Sequence, residues 1–327
     1  MSNREEWQIM LRAARLYYED YLTQQQIADE LGVSRPTVSR LLTQARREGI
    51  VQITIKDPFA HSEELEGRLI QAFNLKGAVL VAGEGLSGEL LRRRLGFAAA
   101  EYLQHTLAEG SKLGIGWGRT LYAVVKALDV RQRLGIQVVP LIGGLGQISS
   151  SFQVNDLARR LAEAFGGTWQ PFYVPAFVAD PAALEALLHV ADVESVLQAW
   201  PQVDTALVGI GHFAFQQQSS MLFSSYIAAD VLQELERCGA VGDLCGRFFD
   251  AQGRQCIAER GIIGISLEQL RMLEHVIGVA GGAEKVPAIL GAVRGGYVDV
   301  LVTDTVTAQA VLAATDGATL DAAADKT

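Results

Sequence analysis

Cysteine is scarce in this 327-residue chain, and its spacing excludes the usual metal-binding and redox motifs. Cys238, Cys245 and Cys256 form no C-x-x-C pair, and their odd number predicts free thiols in a reducing compartment. The five histidines are scattered without H-E-x-x-H or any other metal-ligand spacing. The sequence therefore predicts no metal site and no other cofactor.

Long apolar runs are also absent, and basic residues are in the minority. No stretch approaches the ~20 apolar residues of a membrane-spanning helix, and the start lacks the apolar centre of a signal peptide, so we expect a cytoplasmic protein without a membrane partner. The net charge is −9, from 28 Lys and Arg against 37 Asp and Glu. Residues 1–56 hold 8 of these basic and 7 of these acidic residues, which leaves residues 57–327 at −10. A surface for nucleic acid is therefore expected near the N-terminus.

Two short helical patterns meet at Gly32 in that N-terminal region. Glycine permits the tight turn between them, Ser34 can cap the second helix, and Pro36 falls in its first turn, where a missing N–H costs little. Basic and small polar residues lie outside the apolar stripe of this second helix. The pattern predicts a helix-turn-helix that binds operator DNA. The residues predicted to face DNA are Gln24, Ser34, Arg35, Thr37, Ser39, Arg40 and Gln44.

The flanking segments complete a small all-α winged helix-turn-helix domain over residues 1–56. Residues 6–21 carry apolar side chains at helical spacing, including Trp7, Met10 and Leu11, and predict a third helix that supplies core. Residues 50–56 alternate apolar and polar residues and predict a short strand or wing. The alternative is an ordinary pair of surface helices in a larger α/β protein.

The rest of the chain predicts an α/β domain with a doubly wound, mainly parallel sheet. Short apolar runs, glycine turns and amphipathic helices alternate along it, as in sheets that helices cover on both faces. We place a linker at 57–62, an effector domain at 63–316 and a small-residue tail at 317–327. Ligands of such folds bind at the carboxyl ends of the strands.

A glycine-rich turn after one predicted strand is the first candidate ligand site. The turn joins a strand to a helix and consists of Gly116, Trp117, Gly118, Arg119 and Thr120. Its backbone N–H groups, the Arg119 guanidinium and the Thr120 hydroxyl could bind a phosphate. The spacing is G-x-G-x-G rather than G-x-G-x-x-G, which disfavours a dinucleotide. The alternative is a tight turn without a ligand.

Further polar residues beside glycines are candidates for binding a sugar. Gly143 and Gly144, with Asn155 in the next helix, could bind the hydroxyls of a polyol, although turn and cap roles fit them as well. Asp243 follows two glycines and could accept hydrogen bonds from sugar hydroxyls, or cap a turn. Lys285 lies at the start of a predicted helix, which favours an anion there; a Schiff base with an aldose and a solvated surface lysine are the alternatives.

Four segments together resemble the SorC family of sugar-responsive bacterial transcriptional regulators, in consistent order from about residue 10 to residue 313. These segments are 17–28, 116–120, 239–250 and 278–285. The resemblance implies an effector domain similar to ribose-phosphate isomerase and glucosamine-phosphate deaminase, a phosphorylated sugar or related effector, and a tetramer built as a dimer of dimers. It implies that Gly116–Thr120 faces the phosphate, that Asp243 binds sugar hydroxyls, and that Lys285 is the basic residue at the ligand.

The sequence thus favours a transcriptional regulator controlled by a sugar, polyol or sugar phosphate. One alternative is a sugar-phosphate isomerase or deaminase with an accessory N-terminal domain. No second acid or base accompanies Asp243 in the sequence, so no catalytic residue is assigned and an enzyme is not expected. Another alternative is an adaptor whose N-terminal helices bind protein.

Overall fold

The computed structural model describes residues 3–18, 22–48, 50–51, 60–130, 132–146, 152–213, 229–256 and 261–324. The chain divides into two compact units, Met1–Asp57 and Pro58–Thr327. Within the described ranges, no helix is long and apolar enough to cross a bilayer.

The N-terminal unit contains three helices, α1 Asn3–Tyr18, α2 Gln24–Leu31 and α3 Arg35–Arg47. Gly32 ends α2 with a φ of 65°, the left-handed conformation that glycine adopts without strain. The Ser34 hydroxyl accepts the Thr37 N–H and caps α3, as predicted. The helices therefore begin and end where local chemistry satisfies their terminal backbone groups.

A small apolar core holds these helices together. Met10 of α1, Ile27 of α2 and Val38 of α3 are buried in one cluster. The expected core roles of Trp7 and Leu11 are wrong within this unit, because their side chains are 45% and 42% exposed. Ala13 and Ala14 are buried instead, since small residues let α1 approach its neighbours closely. Most of the wing expected at 50–56 lies outside the described residues.

The C-terminal unit is built on a seven-stranded parallel sheet, which confirms the predicted fold class. Its strands are β1 Gly77–Val81, β2 Lys112–Ile115, β3 Gln137–Pro140, β4 Thr168–Trp169, β5 Thr205–Gly209, β9 His275–Val279 and β10 Val300–Asp304. Their order in the sheet is β1-β10-β9-β5-β2-β3-β4. The strands are rich in Val, Ile and Leu, as expected for a sheet covered on both faces.

Helices connect these strands and bury both faces of the sheet. Alternate residues of β10 enter different apolar clusters, with Leu301 in one and Val300 and Val302 in the other. The helices of this unit are α4 Ala60–Phe73, α5 Gly88–Thr106, α6 Arg119–Ala127, α7 Val154–Phe165, α8 Pro181–Leu188, α9 Ala191–Ala199, α10 Ala229–Cys238, α11 Leu267–Met272, α12 Val286–Arg294 and α13 Thr305–Ala324. The backbone of α13 continues through residues 317–324, which the sequence assigns to a tail.

A second, smaller sheet is antiparallel and was not expected from the sequence. Its strands are β6 Gly211–His212, β7 Ala240–Leu244 and β8 Arg247–Asp250. The segment around Asp243, interpreted from sequence as a turn, is therefore the strand β7. Gly239, with a φ of 74°, makes the turn just before it.

The expectation of three free thiols is wrong for two cysteines. Cys238, which ends α10, and Cys256, which follows β8, form a disulfide with Cα atoms 5.6 Å apart. Cys245 remains free and is buried. Cysteine spacing along the chain gives no sign of this pair, because the small sheet brings together residues that are 18 positions apart.

Candidate functional site

Polar and basic residues follow the outer side of α3. Arg35, Ser39, Arg40 and Gln44 are exposed, whereas Val38 and Leu42 on the opposite side are buried. Exposed arginine and glutamine side chains can bond guanine and adenine edges in the major groove. This exposed set can therefore reach DNA without disturbing the core of the unit.

Two of the predicted DNA contacts also hold the helix end. The Ser34 and Thr37 hydroxyls lie 2.8 Å apart, and Ser34 caps the helix through the Thr37 N–H. Both hydroxyl groups therefore form hydrogen bonds at the start of α3.

The other polar residues of this unit lie outside that cap. Gln24 lies in the first turn of α2, where it is half-exposed. Arg46 is held by Tyr18, because its Nε donates to the phenol oxygen at 2.9 Å.

The C-terminal unit has a cavity of about 730 Å³ at the carboxyl edge of its parallel sheet. The segments that follow β1, β2, β5, β9 and β10 all contribute to its wall. The cavity brings together three sequence-predicted elements, which are Gly116–Thr120, Asp243 and Lys285. Its position agrees with the rule that open α/β sheets bind ligands beyond their strand ends.

The loop Gly116–Thr120 presents the amino end of α6 to this cavity. Gly118 is the N-cap residue, with a φ of 125° that favours glycine, and it offers no side chain to cap the helix. The partial positive charge of the helix end and the Arg119 guanidinium line the same wall. The loop is therefore suited to an anionic group of a ligand.

Asp243 is a buried carboxyl group in the cavity wall. Burial raises its pKa to about 6, although the Gly246 N–H donates to Oδ2 at 3.1 Å and the charge of Lys285 also opposes the rise. Near neutral pH this side chain can hold or release a proton. It can accept hydrogen bonds from ligand hydroxyls when ionised.

Lys285 directly precedes α12 and lines the cavity. The half-buried side chain donates from Nζ to the carbonyl oxygen of Ile210. Burial lowers its pKa; the carboxylates of Asp243 and Glu284 oppose that change, whereas Arg119 and Arg92 reinforce it. Cations that influence one another in this way favour an anionic ligand, which would relieve their repulsion.

The cavity also contains two residues to which the sequence assigned no ligand-binding role. Arg92 of α5 and His212 of β6 line it, and burial and the nearby Lys285 lower the pKa of His212. His212 is thus a second titratable residue in the wall that contains Asp243. The two residues lie 31 positions apart, and the pairing of β6 with β7, Gly211 opposite Asp243 and His212 opposite Gly242, brings their segments together.

Asp304 lines the cavity and stabilises its wall through hydrogen bonds. Its carboxylate accepts the Thr307 N–H and hydroxyl at 2.9 and 2.6 Å, and the Gly282 N–H at 3.2 Å. These bonds join the end of β10 to the turn that carries Lys285. Its sequence signal is an acidic residue shortly after the apolar run 298–302, without the glycine turn that marked the other candidates.

Three sequence-predicted residues do not line the cavity. The side-chain amide of Asn155 is bonded to the backbone N–H and carbonyl of Phe172, at 2.9 and 3.0 Å. A Cβ at Gly143 would lie 2.7 Å from the Val174 carbonyl oxygen, so this glycine permits backbone packing. Gly144 donates to the same carbonyl at 2.8 Å. The proposed role of Gly143, Gly144 and Asn155 in polyol binding is therefore not supported by their positions.

The carboxyl group of Asp243 occupies space that only glycine leaves free at position 211. A Cβ there would lie 1.8 Å from Asp243 Oδ1, whereas a Cβ at Gly209 would lie 3.8 Å from its nearest neighbour, Leu121 Cγ. We expect Gly211→Ala to displace Asp243 and to cost about 1–3 kcal/mol of stability, with loss of ligand binding. Gly209→Ala, on the same wall, is the matched control. Urea unfolding and ligand titration of both variants check this prediction, and equal behaviour of the two would contradict it.

Comparisons with known proteins agree with the two units. Residues 57–313 match the Sugar-bind family, described as "Putative sugar-binding domain", and residues 9–60 match the Crp-like helix-turn-helix domain. The chain is 35% identical to the deoxyribonucleoside regulator of Bacillus subtilis, over 95% of this chain and 99% of that protein. It is 33% identical to the sorbitol operon regulator of Klebsiella pneumoniae, over 95% and 100%.

Solved structures show the same similarity. The crystal structure of the full-length sorbitol operon regulator SorC from Klebsiella pneumoniae superposes with a TM-score of 0.73 at 32% identity. The match covers 93% of this chain and 98% of that one.

Within the described residues, no group of three or more His, Cys, Asp or Glu side chains is arranged to hold a metal ion.

Proposed function

Because the chain belongs to the SorC family of sugar-binding transcriptional regulators, we propose that a phosphorylated sugar or polyol in the cavity controls its binding to operator DNA. The chain is a DNA-binding transcriptional regulator and not an enzyme, in keeping with its relatives. The observation that carries the proposal is the meeting of Arg119, Lys285 and Asp243 in one cavity.

The charges in the cavity support a ligand that is both anionic and hydroxylated. Arg92, Arg119 and Lys285 supply positive charge around the amino end of α6, which favours a phosphate. Asp243 supplies buried acceptors for hydroxyl groups. An unphosphorylated sugar would leave the cations without a counter-charge, so it should bind more weakly.

The proposal assigns residues 1–56 to DNA binding and 63–316 to effector binding, joined by the linker 57–62. Exposed residues of α3, Arg35, Ser39, Arg40 and Gln44, would contact the operator. The protein would act in the cytoplasm as a homotetramer, a dimer of dimers whose paired helices bind related half-sites. A ligand that binds one arrangement of the subunits more tightly would shift the population toward it.

The direct test is a titration of the protein against its own promoter fragment at fixed salt. Pentose and hexose phosphates, their unphosphorylated sugars and the corresponding polyol phosphates are added in turn. We expect specific DNA binding that changes only with phosphorylated compounds, together with a rise in melting temperature from the same compounds. Binding that is indifferent to the whole panel would overturn the effector half of the proposal, and absence of specific binding would overturn the DNA half.

Arg40 offers a separate test of the DNA surface. We expect Arg40→Ala to weaken operator binding by about tenfold while leaving sugar-phosphate binding intact, because its exposed guanidinium is lost from α3 alone. Arg12→Ala is the matched control, since Arg12 is an exposed arginine of the same unit paired with Glu30 at 3.2 Å. Fluorescence anisotropy with operator and unrelated DNA measures the effect. Equal losses for both variants would contradict a specific role of Arg40.

A further inference from the structure

The disulfide between Cys238 and Cys256 closes a ring around the hairpin of β7 and β8, which carries Asp243. Cys238 ends α10 two residues before β7, and Cys256 lies where the chain returns alongside β8. The 18 positions between the two cysteines therefore span the whole hairpin. A crosslink at this place limits how far the hairpin can move from the end of α10.

Backbone contacts connect this disulfide to the cavity wall. The Cys256 N–H donates to the Phe248 carbonyl oxygen at 2.9 Å, and Phe248 is the cross-strand partner of Asp243. On the other side of β7, Asp243 pairs with Gly211, and a Cβ at Gly211 would lie 1.8 Å from Asp243 Oδ1. The carboxyl group thus tolerates little displacement, and the disulfide lies one strand away from it.

The disulfide lies where a soluble thiol can reach it. Both of its cysteines are half-buried, and their chain neighbours Gly239 and Gln255 are exposed. Accessible disulfides exchange with thiols faster than buried ones. Cys245 is buried, and burial raises the pKa of its thiol to about 12, so it contributes almost no thiolate to such an exchange. In the cytoplasm proposed for this protein, the few disulfides that form are usually transient or redox-sensing.

We propose that Cys238 and Cys256 form a thiol–disulfide exchange site that controls effector binding. The oxidised pair holds the hairpin with Asp243 in the position that binds the ligand, and reduction releases the hairpin and weakens binding. The proposal rests on the proposed function, because it requires a ligand at Asp243. It gives the regulator a second input, which is the redox state of the surrounding dithiols.

The exchange balances with a dithiol as the reductant. A thiolate of the dithiol attacks one sulfur of the disulfide, the S–S bond breaks, and the other cysteine leaves as a thiolate that takes up a proton. The second thiolate of the dithiol then attacks the mixed disulfide and releases the first cysteine, which is protonated in turn. The protein gains two electrons and two protons, and the dithiol becomes a disulfide. A small-molecule disulfide as oxidant reverses the reaction.

Titration in dithiothreitol redox buffers tests the proposal on the full-length protein. Alkylation with iodoacetamide after denaturation, followed by mass spectrometry, should label Cys245 alone in the oxidised protein and all three cysteines after reduction. Calorimetric titrations with ribose 5-phosphate and glucose 6-phosphate measure ligand binding in both states. We expect reduction to weaken binding of at least one of them by about tenfold, because the freed hairpin must be ordered again. The melting temperature should fall by about 5–10 °C.

Variants separate this pair from other effects of the reductant. Cys238→Ser combined with Cys256→Ser should bind like the reduced protein and ignore dithiothreitol, whereas Cys245→Ala should keep the difference between the oxidised and reduced states. Labelling of all three cysteines before reduction would overturn the proposal, and so would equal affinities of the parent in both states.

The same titrations distinguish failure of the redox site from failure of the proposed function. If a sugar phosphate binds the oxidised and reduced protein equally, the proposed function stands and the redox control fails. If neither compound binds in either state, both fail.

Discussion

Replacement of Lys285 by glutamine is expected to abolish the response of DNA binding to a sugar phosphate. The substitution removes a cation from a poorly solvated cavity, where a charge-assisted bond to a phosphate contributes about 1.5–3 kcal/mol, or about 10- to 150-fold in affinity. Operator binding without effector should stay within about twofold of the parent, because the proposed DNA contacts belong to Met1–Asp57 and Lys285 belongs to Pro58–Thr327. Anisotropy titrations of operator DNA with and without the effector measure both quantities.

A control identifies the cause of that loss. Lys126→Gln removes the same charge from the exposed side of α6 and should leave the effector response unchanged. Glutamine can still donate to the Ile210 carbonyl, so the local fold should persist in Lys285→Gln. An effector response of parental strength in Lys285→Gln would show that the anion does not bind at Lys285.

Replacement of Asp243 by asparagine is expected to stabilise the ligand-free protein while removing its effector response. The pKa of Asp243 rises from 3.8 to about 6 on burial, so the folded state favours the protonated form. Ionisation therefore costs folding free energy as the pH rises from about 4 to about 6. Above that range the cost is about 3 kcal/mol. Asparagine carries no charge and can still accept the Gly246 N–H.

The pH dependence separates this effect from a general change in packing. The gain in stability of Asp243→Asn should be below about 1 kcal/mol near pH 4 and about 3 kcal/mol above pH 7. Urea unfolding of the ligand-free protein at several pH values measures it. Asp129→Asn, which makes the same substitution at an exposed position, is the control. A gain that is independent of pH would exclude ionisation of Asp243 as the cause.

Local sequence patterns predicted the fold class, but they predicted only part of the candidate site. The loop Gly116–Thr120 and Lys285 were recognisable because each lies where an apolar strand ends in a glycine turn. Asp243 was chosen for its glycines, yet it lies in a strand rather than a turn. Its environment depends on pairing with Gly211, which no local pattern specifies.

The absence of Gly143, Gly144 and Asn155 from the cavity wall has a physical cause. In the sequence, two glycines followed by an asparagine at the start of a helix look the same in a ligand site and in a place where two backbone segments pack closely. Only tertiary structure shows that Asn155 holds Phe172. Arg92 could not be identified from the sequence, because it is the first of three successive arginines. Only the packing of α5 shows that this arginine lines the cavity.

The cavity is shared between two sheets with different strand directions. Lys285 and Arg119 belong to connections of the parallel sheet, whereas Asp243 and His212 lie on the small antiparallel one. The amino group of Lys285 donates to the carbonyl oxygen of Ile210, the residue that joins β5 to β6. A ligand that bonds Lys285 and Asp243 together would act as a crosslink between the sheets. Its binding free energy would then oppose any shear between them, so a molecule of sugar size could set the stiffness of the whole unit.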